Sequence, residues 1–128
     1  MAKKHVSGLA VRDVMQRGVI AVSASAKLEN AARLIRQAGV GVLVVVEKNR
    51  LVGIVGENDL NGTEGSLISS VMRPPVYCTA EEPLESAIKV AINSGLPRVP
   101  VVDNEVDMRC LGIVSASDMM AHLKGKKK

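Results

Sequence analysis

Two stretches of the chain space apolar residues at intervals of three and four. Leu28, Ala31, Ala32 and Ile35 form one stripe, and Leu84, Ala87, Ile88 and Ala91 form another. Spacing at i, i+3, i+4 and i+7 puts each set on one face of a helix. Each stripe stops near a glycine, Gly39 or Gly95, which suits the positive φ of a C-terminal cap. A β-branched run follows each glycine, Val42 to Val46 and Val99 to Val102, and ends at an acid, Glu47 or Asp103. Turns come next, short at Lys48-Asn49-Arg50 and longer from Asn104 to Cys110. Second strands are then predicted at Leu51 to Val55 and Leu111 to Val114. Asp59-Leu60 and Asp118-Met119 close the two series, where a last helix can start.

These series are two copies of one pattern. Val14-Met15 answers Val71-Met72 at an offset of 57, the helices match at 56, and the longer second turn moves the offset to 59. The unit is strand, helix, strand, strand, helix, used twice. The fold class expected is α/β, or α+β, with two β-α-β-β-α repeats. Residues 1–10 form an N-terminal extension, 11–65 the first repeat, 66–123 the second and 124–128 a basic tail, with Asn61 to Ser70 as the connecting stretch. About 60 residues bury too little surface to be stable alone. The nearly unbroken valine runs point to sheets covered on both faces, so the repeats are expected to pack about a pseudo-twofold axis. A cleft between repeats is a natural ligand site. Pattern alone leaves open a repeat that serves only as a scaffold.

Composition narrows the function. The chain has 128 residues, 47% of them hydrophobic and 23% charged, as in one ordinary globular domain. It has no Trp or Phe and a single aromatic, Tyr77, which excludes a stacking platform for single-stranded nucleic acid. Of 17 Lys and Arg, six lie at the ends: Lys3, Lys4, Lys124, Lys126, Lys127 and Lys128. The remaining 11 against 13 Asp and Glu leave the body at −2. Lysine ends bind phosphates weakly and without sequence preference. They make a nucleic-acid role an alternative and are otherwise solvated ends.

Cys78 and Cys110 lie 32 residues apart without a C-x-x-C, and His5 and His122 are the other soft ligands, so neither a metal site nor a disulfide framework is read. The longest apolar run, Gly39 to Val46, has 8 residues, against the roughly 20 that span a bilayer. No apolar segment follows Lys3-Lys4, so no signal peptide or membrane segment is read, and a cytoplasmic protein with reduced thiols is expected. No G-x-S-x-G occurs, and both histidines lie at the ends. Gly39-Val-Gly41 lacks the third glycine of a dinucleotide fingerprint and precedes a strand. Glu81 and Glu82, ahead of Pro83, supply first-turn charge. Nothing here points to an enzyme.

In order and spacing the chain resembles a tandem pair of cystathionine-β-synthase (CBS) domains, a Bateman module, over roughly residues 11–123. The residues that carry the likeness are Val11-Arg-Asp-Val-Met15, Ile68-Ser-Ser-Val-Met72, the Leu28 and Leu84 helices, and Pro100-Val-Val-Asp103. Gly53-Ile-Val-Gly-Glu-Asn-Asp59 and Gly112-Ile-Val-Ser-Ala-Ser-Asp118 complete them. The resemblance implies a regulatory, ligand-sensing module that binds AMP, ADP, ATP or S-adenosylmethionine between its repeats. It implies a flat homodimer acting on a regulated protein that the sequence does not identify. The family's nucleotide signature is met in full by Gly112, Ser115 and Asp118, whereas the first repeat has Gly53 and Asp59 but Gly56 in place of the hydroxyl.

Chemistry agrees with that spacing. A strand that turns into a helix at a small hydroxyl offers backbone N–H groups and a positive dipole end to phosphate or ribose oxygens. Asp118 can accept from both vicinal ribose hydroxyls, with Ser115 and Ser117 adding contacts. Helix capping by Ser117 or Asp118 is the plainer alternative. By resemblance the base would lie against Gly18, Ile20, Val40, Gly41 and Ile113, each of the apolar ones otherwise an ordinary core residue. Arg98 opens an apolar strand where the first repeat has Val42, in place to reach phosphate or to form an ion pair. Arg17 and Arg73 are weaker candidates for the same task. Asp59, Tyr77 and Pro97 mark a possible second site.

Overall fold

The structure, a computed structural model, describes residues 8–61 and 65–126, with side chains as far as His122. The lysine side chains of both ends and the centre of the connecting stretch lie outside the described residues. Two helices form where the stripes predict them: α1, Leu28–Ala38, buries Leu28, Ala31 and Ile35, and α2, Leu84–Ser94, buries Leu84, Ala87 and Ala91. Gly39 and Gly95 cap them at φ 69° and 73°, donating N–H to the Ile35 and Ala91 carbonyls. The valine runs are strands β3, Val42–Glu47, and β6, Arg98–Val102. They pair antiparallel with β4, Arg50–Gly56, and β7, Cys110–Ser115. Lys48 and Asn49 both take positive φ, so β3 and β4 are joined by a two-residue turn whose twist suits a hairpin.

Three further strands have two residues each: β1, Gln16–Arg17, β2, Ala21–Val22, and β5, Cys78–Thr79. β2 runs parallel to β3 and β5 parallel to β6, the expected outcome when a helix crosses over between them. The last helix expected in the first series is a single 3-10 turn, Glu57–Leu60, whereas its counterpart is a full helix, α3, Ala116–Lys126. Asn61, Gly62 and Gly65 follow the first turn and are poor helix formers; Met119, Met120 and Ala121 follow the second and are good ones. Among the described residues no helix is long and apolar enough to cross a membrane.

Contacts divide the chain into two compact units: one made of the segment up to Val19 and the segment from Val76 onward, the other Ile20–Pro75. The first holds the sheet β1-β7-β6-β5 and a core of Val11, Cys78, Leu84, Ala87, Val99, Val101, Val114 and Met119. The second holds β2-β3-β4 and a core of Leu28, Ala31, Ile35, Leu43, Val45, Val55 and Ile68. The segments that lead into each repeat have therefore changed places. Val11–Asp13, a 3-10 turn, lies in the unit built from the second half, where the N–H groups of Val11 and Arg12 donate to the carbonyls of Glu82 and Ala80. Ile68–Ser70, the matching turn, lies in the other unit, where the N–H groups of Ile68 and Ser69 donate to the carbonyls of Ala26 and Ala24.

The exchange explains Gly53 and Gly112. Gln16 and Arg17 pair with Ile113 and Gly112, and Arg73 bridges Ile54. A Cβ on Gly112 would run into the Gln16 carbonyl, and one on Gly53 would lie 2.9 Å from the Arg73 carbonyl. The first residue of the signature is thus a glycine because a backbone passes over it.

Candidate functional site

The second series brings most of its candidates onto one strand-to-helix turn. β7 ends at Ser115, which stands opposite Arg98 across the pair, as Ile113 stands opposite Pro100. Residues opposite one another and two apart along a strand share a face, so Arg98, Pro100, Ile113 and Ser115 lie together on one side of the sheet. Gln16, opposite Ile113 on the other neighbour, joins that face, and Gly18 follows directly after β1. Val99, Val101 and Val114 point the other way into the core. Arg98 is partly buried, as are Ile113, Ser115 and Asp118, while Ser117 and Gly18 are exposed.

The cap on α3 comes from Ser115, not from Ser117 or Asp118. Ser115 Oγ accepts from the Asp118 N–H at 3.1 Å, the bond an N-cap hydroxyl makes to the third residue of its helix. The Ala116 N–H donates to the Pro97 carbonyl at 2.8 Å. Of the first three helical N–H groups, that of Ser117 has no partner among the described residues, and neither has the Asp118 carboxylate. Ser117 Oγ lies 3.4 Å from Ser115 Oγ. One helical N–H, a partly buried carboxylate, two hydroxyls and an arginine fork in register beside them form a mixed donor and acceptor set. It can hold an anion at one end and a diol at the other.

The first series places its equivalents differently. Asp59 Oδ2 accepts from the Gly56 N–H at 2.7 Å and from Arg73 Nε at 3.0 Å, so its carboxylate is engaged. Sequence reasoning singled out the missing hydroxyl at Gly56 but not the Asp59–Arg73 pair. Ile20, Val40 and Gly41 belong to the unit Ile20–Pro75. The Gly41 carbonyl accepts from Glu57 N–H at 3.2 Å, as the Pro97 carbonyl accepts from Ala116. Tyr77 and Pro97 belong with β5 and β6 in the other unit.

Burial, with the Glu82 charge adding to it, pushes the Cys78 thiol up to about 12, and burial raises Cys110 as well. His122 is exposed, with Nδ1 2.9 Å from the Asp118 carbonyl one helical turn back.

A sequence profile of the CBS domain matches residues 11–62 and 68–125. Among curated proteins, the chain is 30% identical over 123 residues to an uncharacterized protein of Methanopyrus kandleri, covering 88% of this chain and 61% of that one. It is 30% identical over 121 residues to the inosine-5'-monophosphate dehydrogenase of Korarchaeum cryptofilum, covering 92% of this chain and 24% of the enzyme. The chain thus spans 61%, 42% and 24% of the length of the first three curated relatives it matches. Among solved structures it is similar to CBSX2 of Arabidopsis thaliana in complex with AMP, with a TM-score of 0.81 and 26% identity, covering 94% of this chain and all of that one.

Proposed function

The chain belongs to the CBS-domain family, as two CBS domains in tandem, and from that premise we propose that it is a ligand sensor that holds an adenosine-containing molecule, AMP first, at the turn bearing Ser115, Ser117 and Asp118. The observation that carries this is a pair of groups at one turn without partners among the described residues, the Ser117 N–H and the Asp118 carboxylate. An N–H at a helix start suits a phosphate or hydroxyl oxygen, and a carboxylate suits the two hydroxyls of a ribose. Arg98, across from Ser115, is the phosphate partner, and Ile113 with Gly18 lies toward the base. The AMP complex of the similar CBSX2 supports the same class of ligand.

Binding, not catalysis, is the activity. The thiols, Cys78 buried and Cys110 half-buried and both raised by burial, and the exposed His122 support it. Output is a shift of population in a partner protein or in a homodimer. The exposed apolar side chains Ile92 on α2 and Met120 on α3, 73% and 49% accessible, support a helical surface for self-association. The free cysteines, Cys78 and Cys110, suit a cytoplasmic setting in which thiols stay reduced.

Thermal unfolding with AMP, ADP, ATP and S-adenosylmethionine tests this. A ligand at 100 times its Kd adds about 2.7 kcal/mol, or roughly 10 °C for a domain of this size. That shift is expected with at least one of the four and is expected to vanish in Asp118→Ala. Melting unmoved by all four overturns the sensor and leaves the ligand-free scaffold or the lysine-end nucleic-acid role.

A further inference from the structure

Asp59 and Asp118 occupy matching positions, yet the Asp59 carboxylate is engaged and that of Asp118 has no partner among the described residues. Asp59 Oδ2 takes two donors, the Gly56 N–H at 2.7 Å and Arg73 Nε at 3.0 Å. With no hydroxyl at Gly56 to cap the turn, the carboxylate folds back onto the backbone N–H instead, the reverse of the bond from Asp118 N–H to Ser115 Oγ. Arg73 is placed by its own backbone: its N–H donates to the Ile54 carbonyl at 2.9 Å, and the Ile54 N–H donates back at 3.1 Å. A Cβ at Gly56 would stand in ordinary contact, 3.4 Å, with a terminal guanidinium nitrogen, so the arginine lies directly beside the place where a hydroxyl-bearing side chain would start. The corresponding register position in the other sheet, opposite Ile113, holds Gln16, which is neutral.

We propose that Arg73 fills, from within the chain, the place a ribose would need at Asp59, so that Gly56 and Arg73 together limit the protein to one adenosine ligand per chain, bound at Asp118. This rests on the Asp118 turn being the ligand site. Physically, a diol at Asp59 would exchange a charge-assisted, backbone-positioned bond for neutral ones and would meet the guanidinium in the same space. At Asp118 it meets neither.

Isothermal titration of the full chain with AMP decides the stoichiometry. One molecule per chain is expected for the natural protein, two for the double variant Gly56→Ser with Arg73→Gln, and the second event is expected to be lost again when Asp59→Ala is added. Arg73→Gln alone, at an exposed side chain, is expected to show a weaker second event even if the double variant folds poorly. Two molecules bound by the natural chain, or one still bound by both variants, overturns the proposal. If the natural chain binds no AMP, the sensor reading fails, and the closure is judged separately on the Arg73 Nε–H signal in 15N spectra. Slow exchange with water that speeds up in Asp59→Asn supports the closure; fast exchange in the natural chain overturns it.

Discussion

Glu47 shows how much one carboxylate can hold in place. Its Oε2 accepts from Ser23 Oγ at 2.7 Å and from the Ala24 N–H at 2.6 Å, which tie the end of β3 to the start of the crossover. The hydroxyl first and then the backbone N–H hold its carboxyl below the ordinary value. A lowered folded value means that these bonds stabilise the fold above the ordinary carboxylate range, and that the benefit is lost as pH falls through the lowered value. In urea unfolding, Glu47→Gln is therefore expected to be less stable than the natural chain at pH 7, with the gap closing as pH falls below the ordinary carboxylate range; a gap independent of pH contradicts this. Cys78 gives a kinetic prediction. Buried and raised from 9.0 to about 12, it is expected to react with iodoacetamide at pH 8 roughly a thousandfold more slowly than a free thiol, and to match one once the chain is unfolded. Equal native and unfolded rates would show that the thiol is not held in the core. At this scale sequence finds what is local. The hydroxyl missing at Gly56 is visible in a seven-residue motif, whereas Arg73 reaches Asp59 from 14 positions away through a bridge to Ile54 that no spacing rule announces.

The elements divide in the same way. The helices and the long strands are legible because an eleven-residue stripe or a run of valines carries its own period. The strand expected ahead of each helix is there, as β2 and β5, but its bounds are not legible, and β1 is not expected at all, since two residues have no period and become strands only through partners far along the chain. The last turn of the first series carries the same kind of acid and apolar pair as α3 but ends on it, because Asn61 and Gly62 follow. Gly112 is the sharpest case: in sequence it opens a ligand signature, and in space it is the floor beneath Gln16. Gly112→Ala is expected to cost about 1–3 kcal/mol, since the obstacle is backbone and cannot swing aside. Gly95→Ala, with open space around the new methyl but φ at 73°, is expected to cost about 1–2 kcal/mol from left-handed strain alone. Chemical denaturation of both, with ligand absent, measures the difference. If Gly112→Ala is neutral, β1 is not anchored where its register places it.

Across the whole chain, the repeat in sequence and the compact unit in space are built from different segments, and that has a consequence for folding. Val11 and Ile68, both fully buried, each insert with their near neighbours, Val14 in one case and Val71 and Met72 in the other, into a core drawn mostly from the opposite half. The same exchange recurs in the hydrogen bonds, with Leu84 N–H donating to the Leu9 carbonyl and Leu28 N–H to the Ser66 carbonyl. Burying a valine or isoleucine side chain contributes about 1.5–3 kcal/mol, a large share of the stability of a unit of some 60 residues. A half-chain cut within the connecting stretch loses its peg, its edge pairing and these bonds together. Residues 1–63 and 64–128, prepared separately, are therefore expected to show little cooperative unfolding by circular dichroism, and mixing them is expected to recover a single transition. Ile68→Ala in the intact chain is expected to cost about 2–5 kcal/mol, because the cavity opens in a core whose other members lie before the connecting stretch. If either half melts cooperatively alone, the exchanged segments are decoration on cores that are already complete, and the loss at Ile68→Ala should then fall below that range.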